Sequence, residues 1–222
     1  MPPLAGPRPV IESSSEKRSW NREQGRESGR LKFTTIADNY NLPAENMTQS
    51  FAQRWLDKER NCGLADISEG MVRTTADVSG FDSESRRVLK NAGLPGSAAP
   101  CLSFSDAATM PRIWEVFAPG GWKEQEKSHL LCFRMLGADG AGNPICVDEE
   151  TGEVWLLDHE DWFRTRQFVN SSVAKLAECL LLYMGQPDAT EFSNAVQAID
   201  ACALAEYCFW FYELACLRED GR

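Results

Sequence analysis

Basic residues are in short supply in this chain of 222 residues: 23 Lys and Arg stand against 33 Asp and Glu, a formal net charge of -10. Proteins that grip nucleic acid by neutralising phosphates need the opposite balance, and so do proteins that settle on an anionic membrane. Direct nucleic-acid binding and membrane-surface binding are therefore excluded as expectations. The acidity is not evenly spread. Residues 1–45 carry seven basic and six acidic groups, whereas residues 46–222 carry 16 basic and 27 acidic. Within the latter, 139–161 holds eight acids (Asp139, Asp148, Glu149, Glu150, Glu153, Asp158, Glu160, Asp161) and no Lys or Arg.

Histidine is scarcer still, with only His129 and His159. A Ser or Cys nucleophile needs a base, usually His, held by a third group, and neither His lies in such an arrangement. G-x-S-x-G is absent. His129, Cys132 and Cys146 are the one combination worth weighing for zinc, but structural zinc sites draw ligands from close pairs such as C-x-x-C, which the chain lacks. His159-Glu160 and Pro100-Cys101 fall short of a zinc deaminase, which requires H-x-E and P-C-x-x-C. Gly137-x-x-Gly140-x-Gly142 lies between two strand-like runs, without a following helix or Lys-Ser/Thr, so it reads as a turn and not a phosphate cradle. No catalytic residue, cofactor or metal is expected.

Eight Cys could suggest a disulfide framework. Cys132, Cys146, Cys179, Cys202, Cys208 and Cys216 nevertheless sit in apolar strand or helix patterns, where cysteine behaves as a small hydrophobe. The N-terminus lacks the apolar stretch of a secretory signal, and a reducing cytoplasm is the expected location. The longest apolar run, 195–217, contains Asp200, Glu206 and Glu213, each opposed by about 2.5–3.5 kcal/mol at a bilayer centre. It reads as a covered helix.

Residues 1–43 mix Pro, Ser, Glu, Arg and Gly with little apolar periodicity and are expected to be a disordered or weakly ordered extension, with a folded domain over 44–222. Phe51, Trp55 and Leu56 recur at helical spacing, predicting an amphipathic helix over 45–61 that Gly63 ends. Met71-Val72 reads as a short strand. Ser83 is a candidate cap for a helix over 83–91, with Gly93 as its stop, and CLSF (101–104) as a strand after it. Strands are predicted over 129–136, 145–148 and 153–158, joined by tight turns as an antiparallel meander. Asn170 or Ser171 is a candidate cap for a helix burying Val173, Leu176, Ala177, Leu180 and Tyr183, stopped by Gly185 and Pro187. One further helix, about 192–217, is apolar nearly all round. Strands bracketed by helices indicate an α+β fold.

In order along the chain, a helix beginning near Met47, RRVLKNAGLP (86–95), CLSF (101–104), GADGAGNPICVDEETGEVWLLD (137–158) and FVNSSVAKLAECLLLY (168–183) together resemble the SUKH superfamily, specifically its fourth subfamily of bacterial immunity proteins. The resemblance spans about 47–185. It implies an α+β fold with a central mixed, largely antiparallel sheet flanked by helices. It also implies a protein without enzymatic activity that binds and neutralises a cognate polymorphic toxin, often a nuclease or deaminase. No universal ligand residues carry over from it.

The contact surface must then be read from composition. Acids interleaved with aromatics suit a basic partner, because aromatic anchors inside a charged rim are a recurring feature of tight interfaces. The expected contact set is Asp148, Glu149, Glu150, Trp155, Asp158, Glu160, Asp161 and Trp162, facing a basic toxin domain. The competing reading of the same acids is a solvated hairpin edge that discourages aggregation. Two other functions stay open: an intracellular scaffold or regulatory protein-binding module, and a cryptic enzyme or small-ligand protein. A homo-oligomer formed through the apolar last helix also stays open.

Overall fold

The protein was analysed as a computed structural model that describes residues 50–64, 70–118 and 120–220. The extension expected over 1–43, and residues 45–49 of the first predicted helix, lie outside the described residues. Those described belong to one unit, Pro43–Arg222.

Helix α1 (Phe51–Asn61) starts where Ser50 Oγ accepts the Gln53 N–H at 3.3 Å, and it buries Phe51 and Trp55. Strand β1 (Met71–Val72) pairs antiparallel with β2 (Leu94–Pro95). Between them, α2 (Ser83–Arg87) runs into a π-helical turn, Val88–Ala92. Its cap is Asp82, one residue before the expected Ser83. The Asp82 carboxylate reaches both the Glu84 and Ser85 N–H groups, at 3.0 and 2.9 Å, and a charged acceptor at a helix start outcompetes a hydroxyl. Gly93, at φ 88°, ends the turn where a Cβ would come within 2.9 Å of the Val72 carbonyl oxygen.

The central sheet has six strands: β3 (Ser97–Ala98), β4 (Leu102–Ser103), β5 (Phe133–Ala138), β6 (Pro144–Asp148), β7 (Val154–Leu157) and β8 (Arg166–Asn170). They lie in sequence order and each neighbouring pair is antiparallel. The architecture is α+β, as expected. Gly137 contributes less to the turn than to this sheet, because a Cβ there would fall 1.7 Å from the Ser103 carbonyl oxygen of the crossing chain.

The strand predicted over 129–136 is in fact split. Ser128–Leu130 is a 3-10 turn and the strand begins at Phe133. The turn buries Leu130 while leaving Leu131 57% exposed. The Arg112 guanidinium takes the Leu131 carbonyl, and pairing with β6 sets in only at Phe133, opposite Asp148.

Both faces of the sheet are covered, which is why β6 is buried along most of its length. Leu136, Ile145, Val147, Val154 and Val169 pack beneath α1, α5 (Val173–Tyr183), α6 (Ala189–Asp200) and α7 (Phe209–Asp220). Phe133, Met135, Cys146 and Leu157 point to the other side, as the two-residue period of a strand requires. Lys58 of α1 donates to the Leu181 and Leu182 carbonyls at 2.6 and 3.3 Å, satisfying acceptors that the end of α5 leaves open.

Two expectations about the C-terminal half give way. Ser172, not Asn170 or Ser171, caps α5, its Oγ accepting the Lys175 N–H at 3.2 Å. The single helix over 192–217 is two helices, α6 and α7, separated by a 3-10 turn (Ala201–Leu204) and by Tyr207 at φ 70°. One buried cluster explains both. Asp200, 3% exposed, accepts the Ser171 N–H at 2.7 Å, the Ser171 hydroxyl at 3.0 Å and the Asn170 amide at 3.1 Å. The Trp210 indole N–H donates to Asn170 Oδ1 at 2.9 Å. Ten residues of straight helix would hold positions 200 and 210 about 15 Å apart along the axis, so the chain must fold back for both side chains to meet Asn170. Coverage of α7 is partial: Trp210 is buried, while Phe211 and Tyr212 are 37% and 46% exposed, as is Tyr207 just before the helix at 68%.

Replacing Asp200→Ala would leave the part-buried Ser171 N–H without its acceptor, the Asn170 amide with only the weak Cys179 sulfur, and Lys175 without its counter-charge, and it is expected to cost about 3 kcal/mol. Urea unfolding followed by tryptophan fluorescence checks this; a loss below about 1 kcal/mol would mean that water or a neighbour replaces the carboxylate.

Candidate partner-binding face

The side of the sheet away from the long helices is roofed by short pieces. These are α3 (Ile113–Val116), α4 (Glu124–Lys127), the 3-10 turn Ser128–Leu130 and the β7–β8 loop, 158–165. Short helices need strong local caps. Glu115 accepts the Arg112 N–H at 2.7 Å and Glu126 accepts the Lys123 N–H at 2.8 Å. Ile113, Leu130 and Phe163 plug down onto Phe133, Met135, Cys146 and Leu157, forming a second, smaller core.

Aromatic rings fill the rim of that core. Trp122 donates its indole N–H to the Phe117 carbonyl at 2.7 Å and stacks on Phe163 with ring centroids 5.9 Å apart. Phe117 meets Phe163 edge-on at 5.0 Å and stacks over His159 at 6.4 Å. Trp162 lies edge-on to Trp122 at 5.5 Å and remains 57% exposed. The sequence signal for part of this rim was the aromatic spacing of Trp114, Phe117 and Trp122, in a stretch with no helical or strand periodicity to attract a reading.

The turn bearing Trp162 is conformationally costly. Trp162 and Phe163 both have positive φ, 64° and 62°, and each such bulky residue is disfavoured by about 1–3 kcal/mol. Two anchors hold it. Phe163 is buried in the small core. The Asp161 carboxylate accepts the Thr165 hydroxyl and the Arg164 and Thr165 N–H groups, the latter two at 3.0 and 2.9 Å. The Thr165 hydroxyl first, and then those N–H groups, hold the Asp161 carboxyl below the usual carboxylate range. Its contribution is present above that range and is lost only as pH falls through the lowered value, so the turn stays pinned in mild acid. The result is a Trp side chain displayed to solvent on a locked turn.

The eight residues expected as contacts divide by position and by what they touch. Asp148, Glu149 and Glu150 sit at the β6–β7 turn, whereas Asp158, Glu160, Asp161 and Trp162 sit beyond the other end of β7. The four residues of that strand separate the two groups by about 13 Å. Several carboxylates are engaged within the fold. Asp148 Oδ1 accepts the Glu150 N–H at 2.8 Å, and Asp158 Oδ1 accepts the Glu160 N–H at 2.8 Å. Glu149 bridges two guanidinium groups, Arg112 at 2.6 Å and Arg134 at 2.8 Å. Trp155 is half-buried against the small core and packs edge-on to Phe168 at 5.2 Å. Glu150, Glu160 and Trp162 face outward, and neither glutamate enters an ion pair among the described residues.

The candidate metal ligands do not converge: no group of three or more His, Cys, Asp or Glu side chains among the described residues is arranged to hold an ion. Burial, with help from the Asp148 charge, pushes the Cys132 thiol up to about 11, and burial raises Cys146 as well. Neither is a thiolate at neutral pH. His159 has a scaffolding role: Asn143 Oδ1 accepts its Nδ1–H at 2.8 Å, while the Asn143 amide donates to Asp139 at 3.0 Å. That chain ties the β5–β6 turn to the Trp162 loop.

A family model described as SUKH-4 immunity protein matches residues 68–192, more than half of the chain. The matched stretch includes the whole aromatic rim and both acidic turns, and it ends within α6. No curated protein and no solved structure matches the chain. Among the described residues, no helix is long and apolar enough to cross a membrane.

Glu149→Gln removes the charge that holds Arg112 and Arg134 together and is expected to destabilise the fold by about 1–2 kcal/mol. Thermal and urea unfolding measure it. An unchanged midpoint would show the bridge to be a dispensable surface pair.

Proposed function

Because the chain belongs to the SUKH-4 immunity protein family, we propose that it binds a cognate toxin domain in the cytoplasm and neutralises it by stoichiometric association, without chemistry of its own. The observation that carries the placement of the interface is the locked turn that holds Trp162 in solvent beside Glu160. Large aromatics inside a charged rim are the usual energetic centre of tight protein interfaces. A basic toxin of nuclease or deaminase type would be drawn by the acidic field, and its Lys or Arg side chains could lie over the Trp162 ring while pairing with Glu160. Glu150 extends the acidic field at the far end of β7. Asp148, Glu149, Asp158 and Asp161 contribute charge to the surface while bracing its loops, and Trp155 forms its apolar floor.

Co-expression with toxin domains that neighbouring genes encode is the first test: the intact chain should restore growth against one of them, and failure to do so would overturn the neutralising role. For the surface, Glu150→Lys with Glu160→Lys should slow association about tenfold at low salt, with the difference shrinking as salt rises. Trp162→Ala should weaken Kd about 30-fold, equivalent to about 2 kcal/mol. Stopped-flow and calorimetric titration with the purified toxin domain read both. Wild-type binding by both variants would move the interface elsewhere.

A further inference from the structure

A second charged feature lies on the other side of the sheet, among the long helices, and its sign is opposite to that of the protein. Around α2 and the π-helical turn that follows it is an open cleft of about 500 Å³, whose lining includes Arg86, Arg87 and Lys90. Asp77 is the one acid in that lining, and Ser79 and Ser83 add hydroxyls. Ser83 is not needed as the helix cap, since Asp82 takes that role. The cations differ in what holds them. Arg87 pairs with Glu84, and Lys90 donates to the Ala76 carbonyl at 2.6 Å, keeping its other two N–H donors. Arg86 is exposed and enters no ion pair among the described residues. Asp77 is tied to the Ser79 N–H at 3.0 Å.

We propose that this cleft binds a short, extended acidic peptide segment of a protein partner, at a site separate from the proposed toxin-facing surface. The lining carries three cations against one anion in a molecule of net charge -10; with Arg87 taken by Glu84, Arg86 and Lys90 are the two left to meet carboxylates. The spacing also fits. Side chains one helical turn apart, as Arg86 and Lys90 are, stand about 5–6 Å from each other at Cβ. Alternate side chains of an extended peptide, all on one side, are about 6.6 Å apart. Two alternating Glu or Asp residues can therefore meet the two cations in register, and the Arg86 fork suits a carboxylate bidentately. A long nucleic-acid strand would run beyond the cleft onto a repelling surface, whereas a short acidic run ends with it.

The test is fluorescence anisotropy of the full chain with a labelled peptide of alternating Glu and Ser, against a Gly-Ser peptide of equal length, inorganic pyrophosphate and a single-stranded oligonucleotide. The Glu-Ser peptide should bind, weaken as salt rises from about 50 to about 300 mM, and lose roughly tenfold in affinity on Arg86→Glu or Lys90→Glu. Arg86 is exposed and enters no ion pair among the described residues, so its reversal should hold the thermal midpoint; Lys90→Glu gives up the bond to the Ala76 carbonyl, so should either reversal fail to fold, Arg86→Gln and Lys90→Gln replace it, with a smaller loss expected. Absence of peptide binding, equal binding of the Gly-Ser peptide, or binding indifferent to these substitutions would overturn the proposal. Tighter binding of pyrophosphate or oligonucleotide at the same residues would overturn it in favour of a phosphate ligand. Glu150→Lys with Glu160→Lys should leave peptide binding intact, so this site and the toxin-facing surface fail or survive separately.

Discussion

The arrangement of the C-terminal half depends on one buried amide. Asn170 ends the last strand, and its side chain donates to Asp200 and accepts from Trp210, while its neighbour Ser171 gives both its N–H and hydroxyl to the same carboxylate. Four parts of the chain meet there: β8, the start of α5, the end of α6 and the first turn of α7. An unpartnered carboxylate at 3% exposure would be strongly unfavourable, and the Lys175 ammonium 3.5 Å away supplies the counter-charge that the neutral donors cannot. Directional bonds of this kind let a few polar groups fix the angle between helices whose apolar surfaces would otherwise slide.

With the helices fixed on one face, the sheet can use its other face differently. There the cover is made of four-residue helices and loops, which bury a small core and leave an aromatic rim partly open. The strained Trp162-Phe163 pair belongs to this cover. Phe163 supplies burial, Asp161 supplies hydrogen bonds, and together they offset a backbone conformation that neither residue prefers. A fold indifferent to the position of Trp162 would not need that combination.

Much of this was legible beforehand. Periodicity located α1, α5 and the β5–β6–β7 meander, because each has a regular apolar face over a continuous stretch. Tertiary demands on single residues were invisible. Leu130 and Leu131 look like strand residues, yet the chain turns there to bury the first and expose the second. Nothing in the run from 192 to 217 reveals that Asp200 and Trp210 must converge, since the group that draws them together lies thirty and forty residues away. Trp114, Phe117 and Trp122 of the aromatic rim were missed for a different reason: they sit on a four-residue helix and turns too short to carry a period.

Charge counting shows the same limit from another side. Eight acids in 139–161 suggest one continuous acidic surface. In the fold they fall at both ends of a four-residue strand, and several are occupied: Asp139 with Asn143, Asp148 and Asp158 with backbone N–H groups, Glu149 with two arginines, Asp161 with its own loop. The density of acids is thus partly a property of tight turns, which favour Asp because its short carboxylate reaches the next backbone N–H groups. A basic partner would be drawn by the summed field of all of them, since a carboxylate that accepts a hydrogen bond keeps its charge. Close contact is a narrower matter, open to side chains that face outward, as Glu150, Glu160 and Trp162 do. Long-range attraction and short-range recognition would therefore draw on overlapping but different residues, and only the first can be estimated from composition.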